Sequence, residues 1–305
     1  LSLALIAPGR DGKAFADCLH QLQPGLDIQV WPHLSSPDTV EFAVCWQPPA
    51  DAFKPLTKLK VVQSLGAGVD GLAPLLPPGV TLCRTVSEHL KRDIRDYVLL
   101  AILANQRQWQ TLAQQQRHQQ WQQTPYRRTG TVGVLGLGEL GRFVAEQLAQ
   151  WGFSVKGWSR TPKVISGISC FAGIKTLGDF AGELDYVVCL LPLTEQTQGL
   201  LNRDLFQKLK KAAYLIHAGR GAQLIEADLL EALANGQLSG ACLDVFNQEP
   251  LPRQHPFWRH PQITITPHTA SITSSQDLAA AVYQNYLAMH HGKALNHVVD
   301  QTQGY

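Results

Sequence analysis

The 305-residue sequence lacks paired cysteines. Its six, Cys18, Cys45, Cys83, Cys170, Cys189 and Cys242, include no Cys-x-x-Cys spacing, which removes the common thiol metal and redox motifs. They are far apart and mostly within apolar segments, so they read as reduced, buried small hydrophobes of a cytoplasmic protein. No apolar run approaches membrane-spanning length, and no candidate metal site stands out. The apolar start Leu1 to Ala7 has no basic leader and runs straight into Pro8-Gly9-Arg10-Asp11-Gly12, so it is read as a first strand and not a signal peptide. Surplus charge is also missing: the formal net charge is +2, with both signs spread along the chain, and neither nucleic acid nor an anionic membrane is expected as a partner. One local absence says more than these. No acidic residue occurs between Glu146 and Asp179.

What is present suffices for two domains of ordinary globular composition, 45% hydrophobic and 16% charged. The first ninety residues alternate short apolar strands (Leu3 to Ala7, Ile28 to Trp31, Phe42 to Trp46, Val61 to Leu65) with helical pieces at Lys13 to Leu22 and Leu56 to Leu59. This is an open α/β unit. After its fourth strand, Gly66-Ala67-Gly68-Val69 lets consecutive amides point into one small space suited to a carboxylate or phosphate oxygen, or else forms an ordinary strand-to-helix turn. Lys91 to Gln123 reads as helical, apolar all round over Tyr97 to Leu103 and therefore buried, then glutamine-rich, with Trp109, Leu112 and Trp121 marking apolar contact such as a subunit interface.

Thr131 to Gly141 follows, Thr-Val-Gly-Val-Leu-Gly-Leu-Gly-Glu-Leu-Gly. An apolar strand leads into Gly136, Gly138 and Gly141, the spacing of a dinucleotide-binding turn: one glycine for the tight turn, one for close approach of a pyrophosphate, one for helix-on-sheet packing. A helix from Glu139 to about Trp151 would aim its free amides at the phosphates. The next strand, Ser154 to Trp158, ends in Ser159-Arg160-Thr161, where an NAD site usually carries an acid for the ribose hydroxyls. With no carboxylate to repel a 2'-phosphate, and with Arg160, Ser159 and Thr161 able to hold one, NADP(H) is favoured and NAD(H) remains possible.

Strands at Leu184 to Leu191, Ala213 to Ile216, Gly240 to Val245 and Ile263 to Thr266, with helices at Arg203 to Leu209 and Glu226 to Asn235, complete a second doubly wound sheet. A last helix, Ser274 to His291, returns to the first domain. Arg220, Glu249 and His268 stand just past three of these strands, whose carboxyl ends share one crevice. Arg220 suits a substrate carboxylate and a polarised keto oxygen. His268, its charged form favoured by Glu249, suits proton donation as hydride arrives. Each also has a plain structural reading: a solvated loop cation, an acid opening a turn, a satisfied histidine.

The glycine turn, His217-Ala218-Gly219-Arg220-Gly221, Asp244-Val245-Phe246-Asn247-Gln248-Glu249-Pro250-Leu251 and Thr266-Pro267-His268 resemble the NAD(P)-dependent D-2-hydroxyacid dehydrogenases over nearly the whole chain. Val44 to Pro49, Trp158-Ser159-Arg160 and the ending Val299 to Tyr305 resemble the branch that reduces glyoxylate and hydroxypyruvate. The resemblance implies two doubly wound parallel-sheet domains, with a Rossmann coenzyme domain (98–276) inserted in a flavodoxin-like substrate domain (1–97 and 277–305). It implies Arg220, Glu249 and His268 as the catalytic set. The substrate would be a small 2-keto acid, with its carboxylate on the amides of Ala67, Gly68 and Val69 and Trp46 lining its pocket. The expected dinucleotide contacts are Gly136, Gly138, Glu139, Leu140, Gly141, Ser159, Arg160, Thr161, Leu191, Pro192, Ala218 and Asp244. NADPH as reductant, a homodimer through the coenzyme domains and a cleft that closes on substrate are further implications. Two positions depart from the family pattern: His217, usually Asn, and His89-Leu90, usually Gly-Met, where His89 either narrows the pocket or faces solvent. Two other readings remain: a dinucleotide-sensing, corepressor-like protein on the same fold, or a dehydrogenase for another 2-keto acid. Trp46 and the scarcity of cations near the Gly66 loop argue against a phosphorylated one.

Overall fold

The computed structural model describes residues 2–126 and 130–303; Leu1, and Gly304 and Tyr305 of the family-like ending, lie outside the described residues. The chain forms two compact units, Leu1–Leu90 with Thr273–Tyr305, and Lys91–Ile272. These divisions fall near the ends of two helices, whereas the boundaries expected at 97 and 276 lie within them.

The first unit is built on β1 (Ser2–Ile6), α1 (Gly12–Leu22), β2 (Asp27–Val30), β3 (Val40–Cys45), β4 (Val61–Ser64) and β5 (Thr81–Cys83). These strands pair with one another in parallel, in the order β2-β1-β3-β4-β5. Alternation along β1 divides the core: Leu3 and Leu5 face Phe15, Leu19 and Phe42, while Ala4 and Ile6 face Phe53, Leu56, Val62 and Leu82. From Leu3 to Ile6 the strand is therefore apolar, as a strand covered on both faces tends to be. Asp11 caps α1 through Ala14 N–H at 3.0 Å. The helix packs against the final one, α8 (Ser275–His290), whose Leu278, Val282 and Tyr286 share its core. The helix expected at Leu56 to Leu59 is instead a series of turns after Pro55, in which Leu56 and Leu59 are buried as loop anchors.

In the second unit come α2 (Glu88–Gln106, which begins just before the unit), α3 (Trp109–Arg117), β6 (Thr131–Leu135), α4 (Glu139–Gln150), β7 (Ser154–Ser159), β8 (Ser169–Ala172), α5 (Leu177–Ala181) and β9 (Tyr186–Cys189). They are followed by α6 (Arg203–Lys208), β10 (Ala213–His217), α7 (Glu226–Ala234), β11 (Leu238–Leu243) and β12 (Ile263–Ile265). The seven parallel strands run β12-β11-β10-β9-β6-β7-β8. Progress from β6 goes outward to β8, then reverses at β9, which puts the topological switch between β6 and β9. This is the Rossmann order with one added strand.

Three readings of this half are corrected. The helical stretch 91–123 is two helices, divided at Gln108 in the left-handed region (φ 52°), with nothing regular after Arg117 to Tyr126. Tyr97 to Leu103 is not buried all round: Val98 and Ile102 are inaccessible, but Leu100 is 67% exposed. The strand expected over Leu184 to Leu191 pairs only from Tyr186 to Cys189. The edge strand β8, half-buried and short, carries little periodic signal and was not expected.

Candidate active site

At the β6–α4 turn each glycine meets a different constraint. Gly136 has φ 102°, and a Cβ there would lie about as close as 3.0 Å to Leu190 O. Gly141 is tighter still, with a Cβ falling 1.7 Å from Gly136 O, so the helix rests on the turn itself. Around Gly138, the N-cap of α4, nothing lies within 4 Å of a would-be Cβ. That open space, at the amino end of a twelve-residue helix and at the switch point, fits a pyrophosphate. Leu140 and Glu139 form the first turn of the same helix. At the end of β7, Ser159 is buried and donates its hydroxyl to Thr161 O (2.8 Å), which shapes the turn that presents Arg160 and Thr161 at the surface.

Past β9, β10, β11 and β12 the loops interlock. Gln223, wholly buried, donates to Leu191 O (3.1 Å) and Pro192 O (3.0 Å) and accepts Arg220 N–H (2.9 Å). One amide thus ties the loop after β9 to the loop after β10. Ala218 N–H reaches Cys189 O at 3.2 Å on the same seam. Arg220 opens the Gly221–Gln223 turn, and Gly221 touches the backbone of Phe246, where a Cβ would sit 1.9 Å from the carbonyl carbon. Phe246 N–H in turn donates to Glu249 Oε1 (2.9 Å), and Glu249 Oε2 lies 2.7 Å from His268 Nδ1. The Arg220 and Glu249 loops are therefore contiguous, and Glu249 meets His268 directly.

His268 has φ 54°, an uncommon state for a residue with a side chain. It is held there by its N–H on Asp244 O (2.9 Å) and by the Asp244 carboxylate, which accepts Thr266 Oγ1–H (2.6 Å), Thr269 N–H (2.8 Å) and Ala270 N–H (3.0 Å). Asp244 is buried, and these donors occupy both its oxygens, so its observed contacts are to the His268 loop. Tyr97 on α2 extends the network through Thr266 (2.8 Å) and Cys242 (3.2 Å). Burial raises its hydroxyl pKa far above the ordinary value, so it stays a neutral hydrogen-bonding group.

In the first unit, Trp46 follows β3 and lies against Gly66, where a Cβ would come 2.6 Å from its Cζ3. Ser64 Oγ accepts Gly66 N–H (3.1 Å) and donates to Gly68 O (3.3 Å), fixing the loop. Among the described residues no acceptor is bonded to the amides of Ala67, Gly68 or Val69, so three donors stand ready in one short loop. His89, 64% exposed, stands 3.5 Å from Asp277. Among the described residues no cluster of three or more potential metal ligands occurs.

Residues 99–270 match the model of the D-isomer specific 2-hydroxyacid dehydrogenase NAD binding domain. The chain belongs to the D-isomer specific 2-hydroxyacid dehydrogenases. It is 38% identical to glyoxylate/hydroxypyruvate reductase A of Yersinia enterocolitica, over 100% of both chains. Among solved structures, a D-isomer specific 2-hydroxyacid dehydrogenase of Xanthobacter autotrophicus in complex with NADPH and MES superposes with a TM-score of 0.95, at 36% identity, over 100% of this chain and 99% of that one. An NADPH-dependent glyoxylate/hydroxypyruvate reductase of Sinorhizobium meliloti in complex with NADP and sulfate gives 0.92 at 34% identity, over 100% and 99%. Like its family, this dehydrogenase is an NAD(P)-dependent oxidoreductase.

Two parts of the dehydrogenase site have no sequence signature. Gln223 and Tyr97 act through contacts made between strand ends and helices far apart in sequence, 32 residues for Gln223 to Leu191 and 145 for Tyr97 to Cys242. A buried glutamine directly after Gly-Arg-Gly-Ala looks, in the sequence, like any polar turn residue.

Proposed function

We propose that this dehydrogenase reduces a small 2-keto acid, glyoxylate or hydroxypyruvate, to the 2-hydroxy acid with NADPH. The inserted unit holds the dinucleotide, and the unit carrying the Gly66 loop holds the keto acid's carboxylate. The observation that carries the reading is the Glu249–His268 contact of 2.7 Å on a residue held at φ 54°, beside the loop of Arg220. The nicotinamide, when bound, supplies the hydride. Arg220 binds the substrate carboxylate and polarises the carbonyl. With Nδ1 engaged by Glu249, His268 delivers the proton to the developing alkoxide from Nε2. Glu249, itself fixed by Phe246 N–H, sets the ring's orientation. Gly136, Gly138, Glu139, Leu140, Gly141, Leu191, Pro192, Ala218 and Asp244 line the dinucleotide, and Ser159, Arg160 and Thr161 hold its 2'-phosphate.

The names of the relatives support the substrates, and the NADPH and NADP complexes among the neighbours support the cofactor. Six free thiols, none in a disulfide among the described residues, support a cytoplasmic setting. No described helix is long and apolar enough to cross a membrane. A homodimer through the inserted unit completes the reading.

The test is NADPH oxidation with a panel of 2-keto acids, repeated with NADH. Turnover of glyoxylate or hydroxypyruvate with an NADPH preference supports the proposal; tight NADPH binding without turnover of any keto acid overturns it in favour of a dinucleotide sensor. His268→Ala should lower kcat by roughly 10²- to 10⁴-fold with little change in NADPH affinity. Arg160→Asp should move the preference towards NADH, and an unmoved NADPH/NADH ratio would remove Arg160 from the phosphate site.

A further inference from the structure

We infer that Arg10 reads a second negative charge on the substrate, and that short 2-keto dicarboxylates are better substrates of this chain than 2-keto acids of equal length with an uncharged end. The inference rests on the proposed reductase reading and names the substrate class of that same site.

Three observations within the first unit carry it. The first is position. In the order β2-β1-β3-β4-β5 the topological switch lies between β1 and β3, and ligands of such sheets bind beyond the strand ends at that point. Arg10 follows β1 and Trp46 follows β3, with Trp46 N–H bonded to Ile6 O at 3.0 Å across the switch. Arg10 is also set by its turn: Pro8 and Gly9 (φ 79°) occupy the middle of Ala7 to Arg10, closed by Arg10 N–H on Ala7 O at 3.2 Å.

The second is geometry. The Arg10 guanidinium carbon stands 3.8 Å over the Trp46 ring. That ring lies on Gly66, the first residue of the loop whose three amides have no acceptor. Arg10 and Gly66 thus both lie against the one indole of Trp46, and a short diacid is the ligand sized to reach from the cation to the loop amides. A guanidinium held over an aromatic ring keeps its fork of N–H donors for a carboxylate.

The third is charge. Among the described residues no carboxylate pairs with Arg10, and its neighbour Asp11 is engaged as the cap of α1. Arg10 remains solvent-accessible, while partial desolvation holds its basicity below the ordinary value. A cation that no described carboxylate pairs with, together with three amides that have no acceptor, suits a ligand carrying two negative charges. Chemistry at the keto carbon is unaltered: a hydride and a proton add to the carbonyl, and the far carboxylate makes and breaks no bond.

The experiment measures kcat/KM with NADPH for oxaloacetate, 2-oxobutyrate and glyoxylate, on the wild type, Arg10→Gln and Arg10→Lys. The wild type should prefer oxaloacetate to 2-oxobutyrate by at least about tenfold, the scale of a hydrogen bond to a charged group. Arg10→Gln should abolish that preference through KM, and Arg10→Lys should retain part of it. Turnover of glyoxylate without a preference for oxaloacetate overturns the Arg10 assignment and leaves the reductase reading standing. An equal loss on all three substrates in Arg10→Gln also overturns it, since Arg10 would then only prop the indole. Failure of every keto acid overturns the reductase reading and this inference with it.

Discussion

His217 is a histidine whose ionisation the fold opposes. It is fully buried at the end of β10, with Nε2 3.0 Å from Arg220 O and Nδ1 without a partner. Burial pushes its pKa down from 6.5 to about 4. The neutral ring donates from Nε2, and protonation would put a charge in the closed interior, which burial opposes more than the backbone oxygens of Arg220 and Cys189 favour it. Between those two values the unfolded chain binds the proton and the folded chain does not, so stability is fully present above about pH 6.5. It falls as pH drops towards 4, by an amount on the order of 3 kcal/mol. His217→Asn, the residue usual in the family, should flatten the fall in urea midpoint between pH 7 and 4.5; an unchanged slope would assign it to other groups. The strand-end positions of Arg220, Glu249 and His268 were readable because each follows a short apolar run by a fixed few residues. Arg10 was not, because its meaning lies in a contact with Trp46, on a different strand end.

At the scale of elements, the site is a set of loops bound to one another more than to their own strands. Gln223 serves Leu191, Pro192 and Arg220 at once. Gln223→Leu should leave those buried groups without partners and lower stability by about 3 kcal/mol in denaturant unfolding. It should also raise KM for the keto acid through Arg220; an unmoved KM would mean the Arg220 loop holds itself. Strands and the glycine turn were legible wherever both faces of the sheet are covered, since burial on two sides leaves an apolar run. The β8 edge strand and the break at Gln108 were not. An edge strand needs only one buried face, and the left-handed turn at Gln108 sits on a residue that gives no warning of it. His89 shows a similar limit: its pairing with Asp277 depends on where α8 returns.

For the whole molecule, the proposed dimer has a visible candidate surface. In the inserted unit Leu100, Trp109 (64% exposed) and fully exposed Trp121 present apolar area, and Arg107 stacks over Tyr126 at 4.0 Å. Leaving two indoles in water is unfavourable enough that a partner is expected. Trp109→Glu combined with Trp121→Glu should convert a dimer to a monomer in sedimentation velocity; a dimer that survives both would move the interface elsewhere.

The pairing of α1 with α8 also sets an order of assembly during synthesis. Phe15 and Leu19 leave the ribosome well before the side chains that cover them, Leu278, Val282 and Tyr286. All of residues 91–272 must be made in between, on the order of ten seconds or more at ordinary elongation rates. The inserted unit has its whole sheet before then. The first unit therefore waits, with one apolar face open, for a helix that arrives only after the dinucleotide fold is complete, and a nascent chain stopped short of α8 presents that face to whatever chaperone meets it.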